Sequence, residues 1–264
     1  MSATARVLSS ILSWAAFTNV LIVIVLMFVP VFAVTILSFS NESFLHFPPA
    51  QWGLRQYVVF FSSPYWTASI IKSFMIGIPA AILATIIGLP AVFALNRSEL
   101  PFREALQTLG LSPLIIPGVA YAVAMYTFYA QIRLIGNPIG LVLVHAILAL
   151  PFVIIIVGAA VNRIPRELEL VAMTLGASRF RAMTGITLRL LLPAIGAAFV
   201  FAFITSFDEA VFVSFIGGPG LTTLPKAIFN SVLTGIDPLI TAVAAVLMVC
   251  TGIVMMIAVY WRSE

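Results

Sequence analysis

Residues 162–189 read NRIPRELELVAMTLGASRFRAMTGITLR, a polar segment in a chain that is otherwise strongly apolar. The segment contains seven charged residues, whereas only 8% of the 264 residues are charged and 62% are hydrophobic. A soluble domain needs far more polar surface than this, so we expect the chain to lie in a bilayer. Within such a chain, we expect an amphipathic segment between two apolar stretches to be presented to a partner in water.

The apolar stretches on either side of this segment are long enough to cross a membrane, which takes about 20 residues. Five of them contain no Asp, Glu, Lys or Arg, and a sixth, 190–216, is interrupted only by Asp208 and Glu209. The sequence therefore predicts an all-α polytopic membrane protein that forms one transmembrane domain over residues 1–264. The six predicted transmembrane helices lie near 14–38, 70–95, 108–130, 139–161, 191–215 and 238–260.

The distribution of Lys and Arg predicts the orientation of these helices. With an even number of spans both termini share one side, which would hold nine basic residues against four on the other side. The positive-inside rule then places both termini, the 96–107 loop and the 162–189 loop in the cytoplasm. The formal net charge of +4 reflects this bias, and it gives no reason to expect a nucleic-acid partner.

The polar segment has the local signals of a short helix. Pro165 suits the first turn, where a proline loses no hydrogen bond, and Glu169 follows near the positive end of the helix dipole. Apolar residues then recur at the spacing i, i+3, i+4 and i+7, which forms one stripe along a helix. The members of this stripe are Leu168, Val171, Ala172 and Leu175.

A turn and a second helix are predicted to follow the stripe, outside the bilayer. Gly176 occupies the position where a helix commonly ends in a left-handed conformation. Ser178, after Ala177, can cap the next helix, which contains Phe180. The residues alone leave two interpretations open: the stripe docks on a partner protein, or it rests on lipid or on the chain's own helices.

The same segment resembles the cytoplasmic signature of importer-type ABC transporter permeases. That signature reads E-A-A, three residues, Gly, nine residues, Ile-x-Leu-Pro. Gly176 takes the glycine position, and Ala172 matches the second alanine. Ile186 and Leu188 stand at the expected distance for the Ile and Leu positions.

Three positions depart from the signature. Leu170 stands in place of the glutamate, Val171 in place of the first alanine and Arg189 in place of the proline. Glu169, one residue earlier, is the candidate for the role of the missing glutamate. Pro193 matches a further proline that is often seen in the family.

A second region makes the resemblance more specific. Residues 206–232, SFDEAVFVSFIGGPGLTTLPKAIFNSV, are similar to the corresponding region of spermidine/putrescine permeases. The resemblance implies a permease of the ABC importer type I fold in a bacterial inner membrane. Its implied partners are two cytoplasmic ATPases, a second permease that is a different chain, a periplasmic binding protein and the surrounding lipid.

The resemblance also implies which residues couple the permease to its ATPases. In this family the short cytoplasmic helix fits a groove on the ATPase and passes its closure to the membrane helices. Mapped onto this sequence, the coupling residues are Leu168, Glu169, Val171, Ala172, Leu175, Gly176, Ala177, Ser178 and Phe180. The chain contains no phosphate-binding loop of the Walker type, so ATP hydrolysis is assigned to a separate subunit and no catalytic residue to this chain.

Asp208 and Glu209 are the candidate substrate residues. Ionised groups inside a membrane are costly and commonly face a partner, a cavity or a pathway. A cationic amine would gain from carboxylates along its route, so we predict a translocation pathway that includes Asp208, Glu209, Thr205 and Tyr121. The alternative is that one of the acids pairs with a basic residue of the second permease or lies near the outer surface.

The remaining polar residues of the spans do not form a metal or cofactor site in the sequence. His145 is alone in the fourth predicted span and His46 lies in an outer loop, so His145 is interpreted as a packing residue. We expect no metal and no cofactor. The single cysteine, Cys250, lies within the last predicted span and allows no disulfide.

The sequence leaves two other function classes as alternatives to a polyamine permease of the ABC type. An ion-coupled secondary transporter would suit broken helices and buried acids, but the docking segment and the lack of a visible repeat count against it. A membrane enzyme would need a paired nucleophile and base or clustered ligands, which the sequence does not supply. Within the ABC family, related permeases serve opines, amino-acid derivatives and phosphonates, so the resemblance leaves the substrate open.

Overall fold

The computed structural model describes the backbone of residues 3–235 and 237–262, and side chains of residues 13–235, 237–253 and 256. Helices account for most of these residues, and no β-strand occurs among them apart from an isolated antiparallel bridge between Ser40 and Trp52. The predicted all-α class is confirmed. The two chain ends, whose cytoplasmic placement was predicted, lie outside the described residues.

The helices follow one another with mostly short connections, and the longest of those described spans residues 39–54. In chain order they are α1 (Ala3–Ser38), α2 (Arg55–Ser62), α3 (Pro64–Arg97), α4 (Arg103–Leu111), α5 (Gly118–Gln131), α6 (Pro138–Arg163), α7 (Glu167–Thr174), α8 (Arg179–Ala182), α9 (Leu188–Phe207), α10 (Val211–Ile216), α11 (Leu224–Thr234) and α12 (Leu239–Arg262). A 3₁₀ turn, Ser112–Leu114, follows α4, and a π turn, Met183–Thr187, joins α8 to α9.

Four of the described helical segments are long and apolar enough to cross a membrane, or five if a bent pair is counted as one span. The four are Ser13–Ser38, Pro64–Arg97, Pro138–Arg163 and Arg179–Phe207. The last predicted span, 238–260, falls on α12, whose described apolar part is Leu239–Ile253. The structure thus confirms a polytopic helical membrane protein without confirming the count of six exactly as predicted.

The third predicted span, 108–130, is not one straight helix. The segments Arg103–Leu114 and Gly118–Gln131 are bent by 100° relative to each other. Pro113 lies in the 3₁₀ turn and Pro117 immediately precedes α5. A proline cannot donate a helical hydrogen bond and disfavours helix in the residue before it, so two prolines four positions apart break the helix here.

The predicted carboxyl-terminal boundary of the fifth span, 191–215, is wrong. The continuous helix stops at Phe207, and α10 begins only at Val211, after the break at residues 208–210. At its other end the span begins earlier than predicted, because α8 and the π turn lead directly into α9. The predicted second cytoplasmic helix is therefore the first turn of this long helical segment, Arg179–Phe207.

The chain divides into two compact units, residues 1–67 with 230–264, and residues 68–229. In the first unit α12 packs against α1 and α2. In the second unit α6 packs along α9, and the buried residues of its largest apolar cluster include Val92, Val153, Val157 and Leu191. Residues 162–189 and the four predicted pathway residues all belong to this second unit.

Within the second unit, arginines join the ends of α3 and α6. The guanidinium of Arg97 donates to the carbonyls of Val161 at 3.3 Å and Ile164 at 2.8 Å. Arg166 donates to the carbonyl of Asn96 at 2.7 Å. The 96–107 and 162–189 loops therefore lie on the same side, as the predicted topology requires.

Candidate functional site

The 162–189 segment forms the helix and turn that its sequence predicts, with α7 beginning two residues after Pro165. The amide of Gly176 donates to the carbonyl of Met173 and the amide of Ala177 to that of Ala172, both at 3.0 Å. This pair of bonds is the Schellman motif, which requires a left-handed residue at the glycine position. Gly176 meets that requirement with a φ of +90°. Ser178 then accepts a hydrogen bond from the amide of Arg181 at 3.3 Å, as a helix cap does.

The apolar residues of this segment are uncovered by the chain's own helices. Leu175 is 84% exposed and Phe180 is 72% exposed. Leu168 and Val171 are also exposed, and Ala172 is half-buried. Large exposed apolar side chains grouped on one short segment are typical of a docking surface. Contact with the chain's own helices therefore does not describe Leu175 and Phe180, whereas docking on a partner and contact with lipid both leave these side chains uncovered in the chain alone.

Glu169 is bound within the chain. The hydroxyl of Thr187 donates to Oε1 of Glu169 at 2.5 Å, and Thr187 is completely buried. The bond joins α7 to the π turn that leads into α9. This side-chain bond therefore holds α7 to the first turns of the helical segment Arg179–Phe207.

The break at residues 208–210 holds the two acidic residues in different environments. Asp208 ends α9, its amide donates to the carbonyl of Ile204 at 2.9 Å, and its side chain is exposed. Glu209 is half-buried, and its Oε1 accepts hydrogen bonds from the amides of Val211 and Phe212. The two carboxylates predicted to share one pathway thus differ in their availability to a ligand.

The other two predicted pathway residues lie on two different helices of the same unit. Thr205, on α9, is half-buried and its hydroxyl donates to the carbonyl of Phe201 at 2.9 Å. Tyr121, on α5, packs its ring edge-to-face against Phe212 of α10, with ring centroids 5.3 Å apart. Tyr121 therefore lies beside α10.

His145 makes a buried contact that the sequence did not predict. Its Nδ1 lies 2.7 Å from the hydroxyl of Ser206, and both side chains are buried. Ser206 is two residues before Asp208, so the pair fixes the last turn of α9 against α6. Nε2 of His145 is buried and has no hydrogen-bond partner among the described residues.

Two lysines whose contacts the sequence does not predict, Lys72 and Lys226, donate to backbone carbonyls of α10 and of the loop that follows it. Nζ of Lys226 donates to the carbonyls of Val213 and Gly218, both at 3.2 Å. Nζ of Lys72 donates to the carbonyl of Gly220 at 2.8 Å. The only signal for these contacts in the sequence is the unusual presence of lysines beside long apolar segments.

Comparison with known proteins gives the chain relatives along most of its length. Residues 101–262 match the family model described as the binding-protein-dependent transport system inner membrane component. The chain is 30% identical to the putrescine transport system permease protein PotI of Escherichia coli K12 over 245 residues, which is 90% of this chain and 87% of PotI. It is 27% identical over 224 residues to the spermidine/putrescine permease PotC of Haemophilus influenzae, covering 84% and 86% of the two chains.

A solved structure has the same fold. The chain superposes with a TM-score of 0.71 and 16% identity on a bacterial alginate ABC transporter, covering 92% of each chain. That transporter was crystallised in complex with its periplasmic protein carrying an alginate pentasaccharide. At this identity the likeness concerns the fold alone, and it agrees with the permease fold predicted from the sequence.

Proposed function

Because the chain belongs to the family of binding-protein-dependent transport system inner membrane components, we propose that it is the translocating subunit of an ATP-driven importer for a small cationic solute, of which a polyamine is our candidate. The chain is an ABC importer permease homologous to the polyamine permeases PotI and PotC. We assign it no enzymatic step. The solute would pass from the periplasm to the cytoplasm of a bacterium across its inner membrane, with both termini in the cytoplasm.

The observation that carries the ATP-driven part of the proposal is the uncovered apolar surface of the cytoplasmic segment. Leu175 and Phe180 are each more than two-thirds exposed, at 84% and 72%, and stand on either side of the rigid turn at Gly176. Burying such side chains on a protein partner would contribute about 1.5–3 kcal/mol each. We propose that this partner is an ATPase subunit, one for this chain and one for a second permease of different sequence.

Coupling would then run through bonds within the chain. ATPase closure moves α7, and the Glu169–Thr187 bond carries that movement to the π turn at the base of α9. The far end of the same helical segment is the break beside Asp208, held against α6 by the Ser206–His145 pair. We propose that this route joins ATP hydrolysis to a change in the pathway.

The substrate part of the proposal is supported by the charge at the break. Asp208 presents an exposed carboxylate at the end of a membrane-spanning helix. Placing an ionised group inside a membrane costs free energy, and such groups commonly have a functional role. A diamine or triamine would find a counter-charge there, and the named substrates of the PotI and PotC relatives are such amines. A periplasmic binding protein would deliver the solute to this side of the membrane.

The experiment that tests the proposal is isolation of the tagged chain from its native membrane in mild detergent, with identification of the proteins that accompany it. We expect an ATPase, a second permease and a periplasmic binding protein whose bound solute is a polyamine. The Leu175→Ser and Phe180→Ser double variant, which changes no residue of α9, should lose the ATPase and retain the second permease. A chain that transports in cells but is isolated alone would refute the importer assignment and favour an ion-coupled transporter.

A further inference from the structure

Helix α10 begins directly after the acidic pair, and Glu209 is turned back onto it. Oε1 of Glu209 accepts hydrogen bonds from the amide of Val211 at 2.6 Å and from that of Phe212 at 3.0 Å. The first amides of a helix have no partner within the helix. A carboxylate that accepts them forms charge-assisted hydrogen bonds at the positive end of the helix dipole. The oxygen that makes these bonds is thereby engaged with the protein's own backbone.

The opposite end of α10 is held by a group of opposite charge. Nζ of Lys226 donates to the carbonyl of Val213, one of the last carbonyls of the helix, and to that of Gly218 in the following loop, both at 3.2 Å. The carbonyl of Ile216 accepts a hydrogen bond from the amide of Gly136 at 2.8 Å. Helix α10, which is six residues long, thus has the carboxylate of Glu209 at its amino end and the ammonium group of Lys226 at its carboxyl end. The helix dipole favours this arrangement of charges.

Packing also restricts α10. Phe212, Val213 and Ile216 are each at most 1% exposed and pack in an apolar cluster with residues of α3, α5 and α6. The turn that follows leaves no room for a side chain. A Cβ on Gly217 would lie 2.6 Å from the carbonyl oxygen of Val213 and 2.9 Å from that of Leu221. Polar bonds and close packing therefore fix this helix in the second unit.

We infer that Glu209 is a positioning residue, which fixes α10 and with it the helix break at 208–210, and that Lys226 is its counterpart at the other end of α10. Asp208 is then the carboxylate of the pair that remains available to a cationic solute. The assignment of Asp208 rests on the proposed function. The role of Glu209 in α10 rests only on the contacts described above.

Substitutions at position 209 separate charge from hydrogen bonding. Glu209→Gln removes the charge and keeps a carbonyl oxygen that can accept the two amides, whereas Glu209→Ala removes both. In the complete transport complex from the native host, we expect uptake of a labelled polyamine by Glu209→Gln within about twofold of the unchanged chain. We expect a loss of about tenfold or more for Glu209→Ala, because the amides of Val211 and Phe212 then lose the acceptor that Glu209 provides.

Hydrogen exchange provides a measurement that does not depend on transport. In the detergent-purified complex, Glu209→Ala should speed exchange of the amides of Val211 and Phe212, and Glu209→Gln should leave them protected. If Glu209→Gln loses uptake as fully as Glu209→Ala while both amides stay protected, the charge itself is what transport needs and the inference is overturned. Should the Ala variant fail to insert, the Gln variant alone decides between these outcomes.

Lys226 has matched variants as well. Lys226→Met keeps most of the side-chain volume and loses both donated bonds, so it should speed exchange at the carboxyl end of α10, whereas Lys226→Arg should protect that end. Lys72→Met is the control, because among the described residues Lys72 donates to the carbonyl of Gly220, in the loop after α10, and to no carbonyl of α10 itself. Equal protection in Lys226→Met and Lys72→Met would refute the role of Lys226. If the unchanged complex takes up no polyamine, the proposed function is refuted. The exchange pattern would still test whether Glu209 and Lys226 fix the two ends of α10.

Discussion

Substitution of Gly176 tests whether the turn in the 162–189 segment transmits the action of an ATPase, as we propose. Gly176 has a φ of +90°, a region that other residues rarely adopt. A Cβ at this position would meet no atom within 4 Å, so crowding adds no cost of its own. The penalty is that of the backbone conformation, about 1–2 kcal/mol for an ordinary L-residue and more for a β-branched one.

That penalty predicts a graded series. A cost of about 1–2 kcal/mol shifts the population of the native turn by a factor of roughly 5–30. We therefore expect solute-stimulated ATP hydrolysis and uptake to fall in the order Gly176→Asn, Gly176→Ala, Gly176→Val, because asparagine tolerates the left-handed region better than the other two. The amount of chain in the membrane should stay unchanged, since the spans are not altered.

Gly185 provides the matched control. It lies in the π turn nearby, a Cβ there would also meet nothing within 4 Å, and its φ is not in the left-handed region. Gly185→Val should leave coupling close to that of the unchanged chain. Normal ATP hydrolysis and uptake in Gly176→Val, or an equal loss in Gly185→Val, would show that the conformation of Gly176 does not carry the coupling.

Three further substitutions address the docking surface, the internal link and the pathway. Leu175→Ser should weaken binding of the ATPase by about tenfold or more, measured by pull-down titration, because a side chain that is 84% exposed would lose its apolar contact. Thr187→Val should leave Glu169 without its hydrogen-bond donor and lower uptake per ATP hydrolysed. Thr187→Ser should keep the donor and normal uptake per ATP. Equal uptake per ATP in the two variants would show that the Glu169–Thr187 bond does not carry the coupling. Asp208→Asn should raise the half-saturating concentration of a cationic solute by about tenfold or more and leave assembly unchanged. Unchanged uptake by Asp208→Asn would place the pathway elsewhere.

The elements that the sequence predicts well are those with a local physical signal. The turn at Gly176 could be predicted because a helix end at a glycine is a local event, set by the stripe before it and the cap at Ser178 after it. The long apolar helices could be predicted because backbone groups in lipid must bond within their own segment. Residues 162–189 depart from this apolar pattern, and that departure indicated the segment for which we propose docking.

The elements that the sequence predicts poorly depend on contacts between distant segments. The end of α9 at Phe207 was missed because residues 210–216 are as apolar as a continuing helix, and the break depends on Glu209 turning to cap α10. The Ser206–His145 pair joins residues 61 positions apart, and periodicity does not tell which faces of two helices meet. Lys226 was assigned only to a side of the membrane, since its acceptors are carbonyls that carry no signal in the sequence.

The measurement that tests the central claim most directly is uptake by the purified complex in sealed vesicles, with ATP enclosed so that it reaches only the face carrying residues 162–189. We predict that a labelled polyamine accumulates when ATP and the binding protein are both present, and that it does not accumulate with a non-hydrolysable ATP analogue or with an ion gradient alone. Accumulation driven by an ion gradient in vesicles that contain this chain alone would contradict the account.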